Sequence, residues 1–155
     1  MLIELPITHL ILLNIGGWLT VQLGLAWAFT KMPEAWFASG KVYNWEQHGR
    51  FYERFFCIKV WKKLLPDAAS WFAGGFPKGA LAGIDREYLQ RFVRETWRGE
   101  LCHWCAVACA PLFLLWNPWW GELIIIAYAL MANMPCILSQ RYNRARILRL
   151  LARSA

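Results

Sequence analysis

Three short polar clusters hold the residues of this chain that could do chemistry. The first is Arg98-Gly-Glu100-Leu-Cys-His103-Trp104. Glu100 and His103 are three residues apart, so on a helix they share a face. A carboxylate beside an imidazole can fix its tautomer and raise its basicity, which is what a general base needs. The second cluster is Asn44-Trp-Glu46-Gln-His48-Gly49-Arg50, where Glu46 and His48 are rival acid–base groups. The third is Asn133-Met-Pro135, followed by Gln140-Arg141-Tyr142-Asn143-Arg144-Ala-Arg146. Amides and arginines at this density suit a phosphate or carboxylate, which Arg can grip with two parallel hydrogen bonds. Each cluster also has a plainer reading. The first could be a satisfied structural pair and the second a polar loop entering a helix. The third could be topology-fixing charge, which accounts for Arg149 and Arg153 better than for Gln140, Tyr142 and Asn143.

Other chemistries lack their residues. The serines are Ser39, Ser70, Ser139 and Ser154, and no Gly-x-Ser-x-Gly elbow surrounds them, so a serine nucleophile is not expected. Cys102-His-Trp-Cys105 has the Cys-x-x-Cys spacing without a second ligand pair for zinc, and Ala106 stands where haem attachment needs His. A di-iron bundle needs two Glu-x-x-His motifs, and the chain has one. No metal or cofactor is therefore expected. Cys102, Cys105, Cys109 and Cys136 read as buried reduced thiols, which leaves a covalent route open but disfavoured. Lys78 precedes its Gly, so no Walker loop forms.

The elements that must position these clusters are set by charge segregation. All 17 Lys and Arg residues fall between Lys31 and Arg98 or between Arg141 and Arg153. Met1 to Thr30 and Gly99 to Gln140 have none, the bias of a multi-pass membrane protein whose basic segments stay in the cytoplasm. The chain is 58% hydrophobic and carries 11 Trp, above a soluble domain's share. Its net charge of +7 comes with no nucleic-acid motif, so membrane lipids or an anionic substrate are the expected partners. A mean hydropathy of +0.29 is modest for a membrane protein, so a large polar part belongs at the interface.

The reading is an all-α, single membrane domain over 1–155. Spans are expected at about 5–29, 99–116 and 120–140, with an interfacial segment at 30–98 and a basic tail at 141–155. The N-terminus lies outside; the C-terminus and active site face the cytoplasm. The first apolar run is too long for a cleaved signal and has no basic n-region. Asn14 and Gln22 lie inside it and require partners on neighbouring helices. Phe51 to Leu65 reads as a basic amphipathic helix lying on the membrane. Pro66 to Gly83 is a loop, and Asp85 caps a helix that feeds the second span. Asn133 and Pro135 are expected to interrupt the third span.

A family resemblance runs through these clusters in order. It is carried by Asn44-Trp-Glu46-x-His48-Gly49-Arg50-Phe51, the Lys59-x-Trp61-Lys62 stretch, Arg98-x-Glu100-Leu-x-His103-Trp104, Tyr128-Ala-x-Met131-Ala132-Asn133-x-Pro135 and Gln140-Arg141-Tyr142-Asn143-Arg144-x-Arg146. The chain resembles the glycosyl-4,4'-diaponeurosporenoate acyltransferase family, bacterial membrane proteins of carotenoid glycolipid synthesis. The resemblance covers about Trp18 to Leu151; the Gln140 to Arg144 run is its most specific part, and Pro66 to Gly83 departs from it.

The resemblance implies transfer of a fatty acyl group from an activated thioester to a sugar hydroxyl of a lipid-linked acceptor. Acyl-coenzyme A or acyl carrier protein is the donor. The expected base is His103 with Glu100, and the rival is His48 with Glu46. Expected substrate contacts are Arg50, Arg98, Asn133, Gln140, Arg141, Tyr142, Asn143 and Arg144. Glu46, His48, Glu100, His103, Asn133, Gln140, Arg141 and Asn143 are expected to converge on one cytoplasm-facing pocket. Two other classes compete: a non-catalytic subunit of a larger, pigment-containing membrane complex, and another membrane lipid transferase such as a methyltransferase.

Overall fold

The computed structural model describes residues 5–38, 40–66 and 71–153. Every regular element among them is helical. Helix α1, Ile7–Lys31, begins after Pro6 and ends where Met32 turns extended ahead of Pro33. Its 25 residues rise roughly 37 Å at 1.5 Å each, enough to cross a hydrocarbon core of about 30 Å. Only Trp18 and Phe29 are buried along it, while Ile11, Leu12, Ile15 and Leu19 are exposed. Such a face suits lipid better than water.

Short 3₁₀ turns follow at Glu34–Phe37 and Asn44–Gly49. Helix α2 spans Arg50–Phe56 and α3 spans Ile58–Trp61. The continuous amphipathic helix expected over Phe51 to Leu65 is therefore broken at Cys57, whose φ of 47° is left-handed. The break turns Ile58 into a buried cluster with Tyr52 and Tyr142, while Trp61 Nε1 donates to the Phe56 carbonyl at 2.7 Å. Burying Ile58 and satisfying that carbonyl offset the cost of the left-handed residue. The expected loop over Pro66 to Gly83 has no long helix in its described part; Asp67 to Ser70 lie outside the described residues.

Helix α4, Arg86–Cys109, opens as its sequence dictates. The Asp85 side chain accepts from the Tyr88 N–H at 2.9 Å, and Glu87 lies in the first turn. It runs directly into a 3₁₀ stretch, Ala110–Leu115, where Pro111 sits in the first turn. Helix α5, Trp119–Arg153, is continuous for 35 residues. Pro135 lies within it, so the expected interruption does not occur; Pro135 only deprives the Met131 carbonyl of its donor.

Two helices, α1 and α5, are long and apolar enough to cross a membrane. The segment expected as the second span, 99–116, is the apolar end of α4 plus its 3₁₀ extension, continuous with the helix that Asp85 caps. Helices α4 and α5 pack along each other and α1 leans on α4. Three apolar clusters join them. Phe92, Val93 and Ile147 anchor one end of the α4–α5 pair, Trp18, Phe113 and Ala129 the other, and Tyr52, Ile58 and Tyr142 dock α2 and α3 on α5.

The two polar positions foreseen in α1 find partners. Asn14 and Asn117 exchange reciprocal amide hydrogen bonds at 2.9 and 2.8 Å, and Trp116 Nε1 also donates to Asn14 Oδ1. Gln22 Nε2 donates to Asn133 Oδ1 at 3.3 Å.

Candidate active site

The expected site residues separate into two groups on different faces of α4 and α5. The first is a buried ionic cluster. Arg141 Nη2 meets Glu46 Oε1 at 2.9 Å, and Arg141 Nη1 meets Glu100 Oε1 at 3.4 Å. Arg144 Nη2 meets Glu100 Oε2 at 2.5 Å. Glu46, Glu100 and Arg144 are 0, 2 and 1% exposed. Arg141 Nε donates to the Tyr52 hydroxyl at 3.1 Å, and Arg144 Nε to the Lys41 carbonyl at 3.2 Å. Aromatic rings cover the guanidiniums, Trp45 at 5.5 Å from Arg141 and Trp97 at 5.1 Å from Arg144. Burial pushes the Tyr52 phenol well above its ordinary range, so it stays protonated.

This cluster explains the Asn44–Arg50 turn. The Glu46 carboxylate accepts from the Tyr43 N–H at 3.2 Å, closing the turn. Gln47, His48 and Gly49 then adopt left-handed backbone with φ of 49°, 57° and 95°. Gly49 is needed there, because a Cβ would stand 3.2 Å from Tyr142 Cδ2. The twist buries Glu46 and turns His48 outward, where it and Arg50 are exposed.

The second group lines a cavity of about 1000 Å³ between α1, α4, α5 and the segments 59–66 and 71–79. His103, Arg98, Gln140, Tyr142 and Asn143 border it, whereas Glu46, His48, Glu100, Arg141 and Arg144 do not. The expected convergence on one pocket is thus corrected to two sites. The expected Glu100–His103 pair is also not formed. Two guanidiniums outcompete an imidazole for the Glu100 carboxylate, and His103 Nδ1 instead lies 2.8 Å from Asn133 Oδ1. Asn133 Nδ2 donates to the Ala129 carbonyl at 2.9 Å.

The cavity is strongly cationic. Lys59, Lys62, Lys63, Lys78, Arg98 and Arg146 border it, against the single carboxylate Glu95 among its described lining residues. Glu95 is neutralised by Arg98 at 2.8 Å; burial raises its carboxyl while Arg98 opposes the shift. Lys59 pairs with Glu53 at 2.8 Å. Lys62 donates to Asn143 Oδ1 and stands over the Tyr142 ring at 5.4 Å. Burial lowers the Lys62 ammonium below its ordinary value, and Arg146 adds to that. The remaining wall is apolar, with Leu23, Phe29, Trp71 and Phe76. A second, almost wholly apolar groove of about 490 Å³ between Trp61, Met131 and Leu138 shares Leu65 with it.

Lys62, Lys78 and Gln22 did not stand out as site residues in the sequence. Lys62 looked like one more charge on an amphipathic face, and only the Cys57 break turns it inward. Gln22 carried a signal, a polar amide within an apolar run, but not its destination. The five cysteines are free; Cys57 is exposed and the other four are half-buried rather than fully buried.

The profile of the glycosyl-4,4'-diaponeurosporenoate acyltransferase family matches residues 33–153. The chain belongs to this family. Glycosyl-4,4'-diaponeurosporenoate acyltransferases from Staphylococcus aureus strains USA300, NCTC 8325 / PS 47 and MRSA252 are 33% identical to it over 138 residues, covering 86% of this chain and 83% of theirs. No solved structure matches it. The family match spans both the ionic cluster and the cavity's α4 and α5 walls, while α1 precedes it.

Proposed function

We propose that this protein is a membrane O-acyltransferase. It moves a fatty acyl group from an anionic thioester donor to a sugar hydroxyl of a glycosylated carotenoid or related lipid. The observation that carries the reading is the cavity: one imidazole beside many cationic groups, walled by apolar side chains, in a member of this acyltransferase family.

His103 Nε2 takes the proton from the acceptor hydroxyl as its oxygen attacks the thioester carbonyl. The tetrahedral intermediate collapses, the C–S bond breaks, and the imidazolium returns its proton to the departing thiolate. Direct transfer suits a cavity whose hydroxyl groups among the described lining residues are few, Thr30, Ser139 and Tyr142. Lys62, Lys63, Lys78 and Arg146 receive the phosphate groups of the donor, a coenzyme A or a carrier protein's prosthetic arm. Gln140 and Lys62 are the donors closest in kind to an oxyanion's needs. Arg141 and Arg144 are engaged by carboxylates and hold the fold.

The chain crosses the membrane three times, with α4 and its 3₁₀ extension providing the middle crossing. Lysines and arginines are absent from Met1 to Thr30 and from Gly99 to Gln140, which supports a cytoplasmic cavity. Cysteines introduced at Asn117 to Gly121 should label only from outside; labelling from the cytoplasm would reverse this topology. Met1 to Glu4, the other outside segment, lie outside the described residues.

The test of function is acyl transfer by purified protein supplied with an acyl thioester and a glycosylated lipid. His103→Ala should lower turnover by roughly 100-fold or more while the protein stays folded. Near-normal turnover would remove His103 from the mechanism, and an inactive His48→Ala would then pass the role to the exposed His48.

A further inference from the structure

We propose that Asn133 is a positioning residue that holds the His103 ring in its Nδ1–H tautomer, and that Gln22 of α1 braces it. This rests on the reading of His103 as the base, and goes beyond it by assigning the proton to one ring nitrogen. The argument starts at a group that has no choice. The Ala129 carbonyl can only accept a hydrogen bond, so the Asn133 side-chain atom 2.9 Å from it must be the amide nitrogen. That fixes the amide's orientation and points its oxygen at His103 Nδ1, 2.8 Å away. An amide oxygen can only accept, so Nδ1 must carry a proton. In the neutral ring Nε2 then bears the lone pair, and His103 lines the cavity.

Gln22 completes the arrangement. Its Nε2 lies 3.3 Å from the same Asn133 oxygen. In this arrangement the oxygen receives two donors, whereas a reversed Asn133 amide would set its oxygen against the Ala129 carbonyl, where neither group has a proton to give. Asn133 is fully buried, so water cannot replace what a reversal would lose. The sequence suggested Glu100 as the orienting group and Asn133 as a substrate contact. The geometry gives the orienting role to Asn133 and leaves Glu100 in the ionic cluster. A neutral orienting group has its own consequence: the ring is held without a fixed negative charge to stabilise the imidazolium.

The decisive measurement is the ¹⁵N spectrum of the full-length protein labelled at histidine, in detergent or nanodiscs, with His103 assigned by the signals lost in His103→Ala. The unaltered protein should show a protonated Nδ1 and an unprotonated Nε2. Asn133→Leu should release the ring to a mixture of tautomers and lower kcat by roughly tenfold or more, part of the 10²–10⁴ that base catalysis supplies, with little change in KM. Asn133→Asp should keep the Nδ1 proton and move the acid limb of the rate profile to higher pH, because a carboxylate stabilises the imidazolium. The Glu95–Arg98 pair, Lys59, Lys62, Lys63, Lys78 and Arg146, the charges around the same cavity, are common to both proteins. Gln22→Leu should loosen the tautomer less than Asn133→Leu does. A protonated Nε2 in the unaltered protein, or a spectrum unmoved by Asn133→Leu, would overturn the proposal. Should the Leu variant fail to fold, an Asp variant with an unmoved acid limb would do the same. If the tautomer is held as described but His103→Ala still transfers acyl groups, the positioning stands and the base reading falls.

Discussion

The ionic cluster and the cavity share the same two helices but use them in opposite ways. In the cluster, Glu46 and Glu100 face Arg141 and Arg144, so formal charges cancel, and Glu46, Glu100 and Arg144 are shut from solvent. In the cavity, cations outnumber carboxylates and the space is open. Within α5, Arg141 and Arg144 repeat at i, i+3 on one face, while Gln140 and Asn143 repeat at the same spacing on another. Balanced and buried charge holds a fold together. Cations in excess of carboxylates around an open space suit an anionic ligand.

The sharpest way to break this contrast is to unbalance the cluster. Glu100→Ala leaves Arg144 buried beside an empty site, and should cost about 3–5 kcal/mol of stability. Thermal unfolding in detergent reads this, and His103→Ala should leave the same midpoint nearly unmoved. If the two variants unfold alike, the division between the regions fails.

Gly49→Ala acts on the cluster from outside. It forces a left-handed residue and a tight contact with Tyr142, worth about 2 kcal/mol. Its unfolding midpoint should fall while donor KM holds, and a raised KM would instead mean that the turn serves the cavity.

Lys62 sharpens the other side. Lys62→Gln should raise donor KM about tenfold, the equivalent of roughly 1.4 kcal/mol. Burial lowers the ammonium's pKa, so its charge is lost on alkalinisation before an ordinary lysine's would be. Donor KM should therefore climb at alkaline pH, and Lys62→Arg, which stays charged, should abolish the climb. A flat profile in the unaltered protein would take Lys62 out of donor binding. The smallest effect belongs to a residue in neither region. Asp85→Ala removes the α4 cap and should lower stability by about 1 kcal/mol with kcat unchanged.

Local features were legible in the sequence, and competitions between partners were not. The α1 limits, the Asp85 cap and the need of Asn14 and Gln22 for partners follow from apolar runs, Pro33 and the cost of bare amides in an apolar environment. The pairing of Glu100 with His103 was a fair inference from spacing. Spacing, however, cannot weigh an imidazole against two arginines arriving from another helix. The break at Cys57 was equally hidden. It depends on Ile58 finding a pocket made by Tyr52 and Tyr142, the latter many residues away. The two-sided division of α5 was latent in the helical repeat of Gln140 to Arg146, but which face met Glu100 and which met open space is a tertiary fact.

The Asn14–Asn117 and Gln22–Asn133 bonds carry a consequence for the order of assembly. Helix α1 is synthesised before its partners, and both of its side-chain amides wait for groups made roughly a hundred residues later. Until then it must persist as a lone helix with two unmet polar demands. It can settle only when the hairpin around Asn117 has closed and α5 has arrived. The two contacts lie eight residues apart, about 12 Å along the axis. One residue inserted between them would rotate one contact by about 100° against the other, so α1 could satisfy either end of the molecule but not both. The helix that looks most like a simple anchor is thus the last part to be keyed into place.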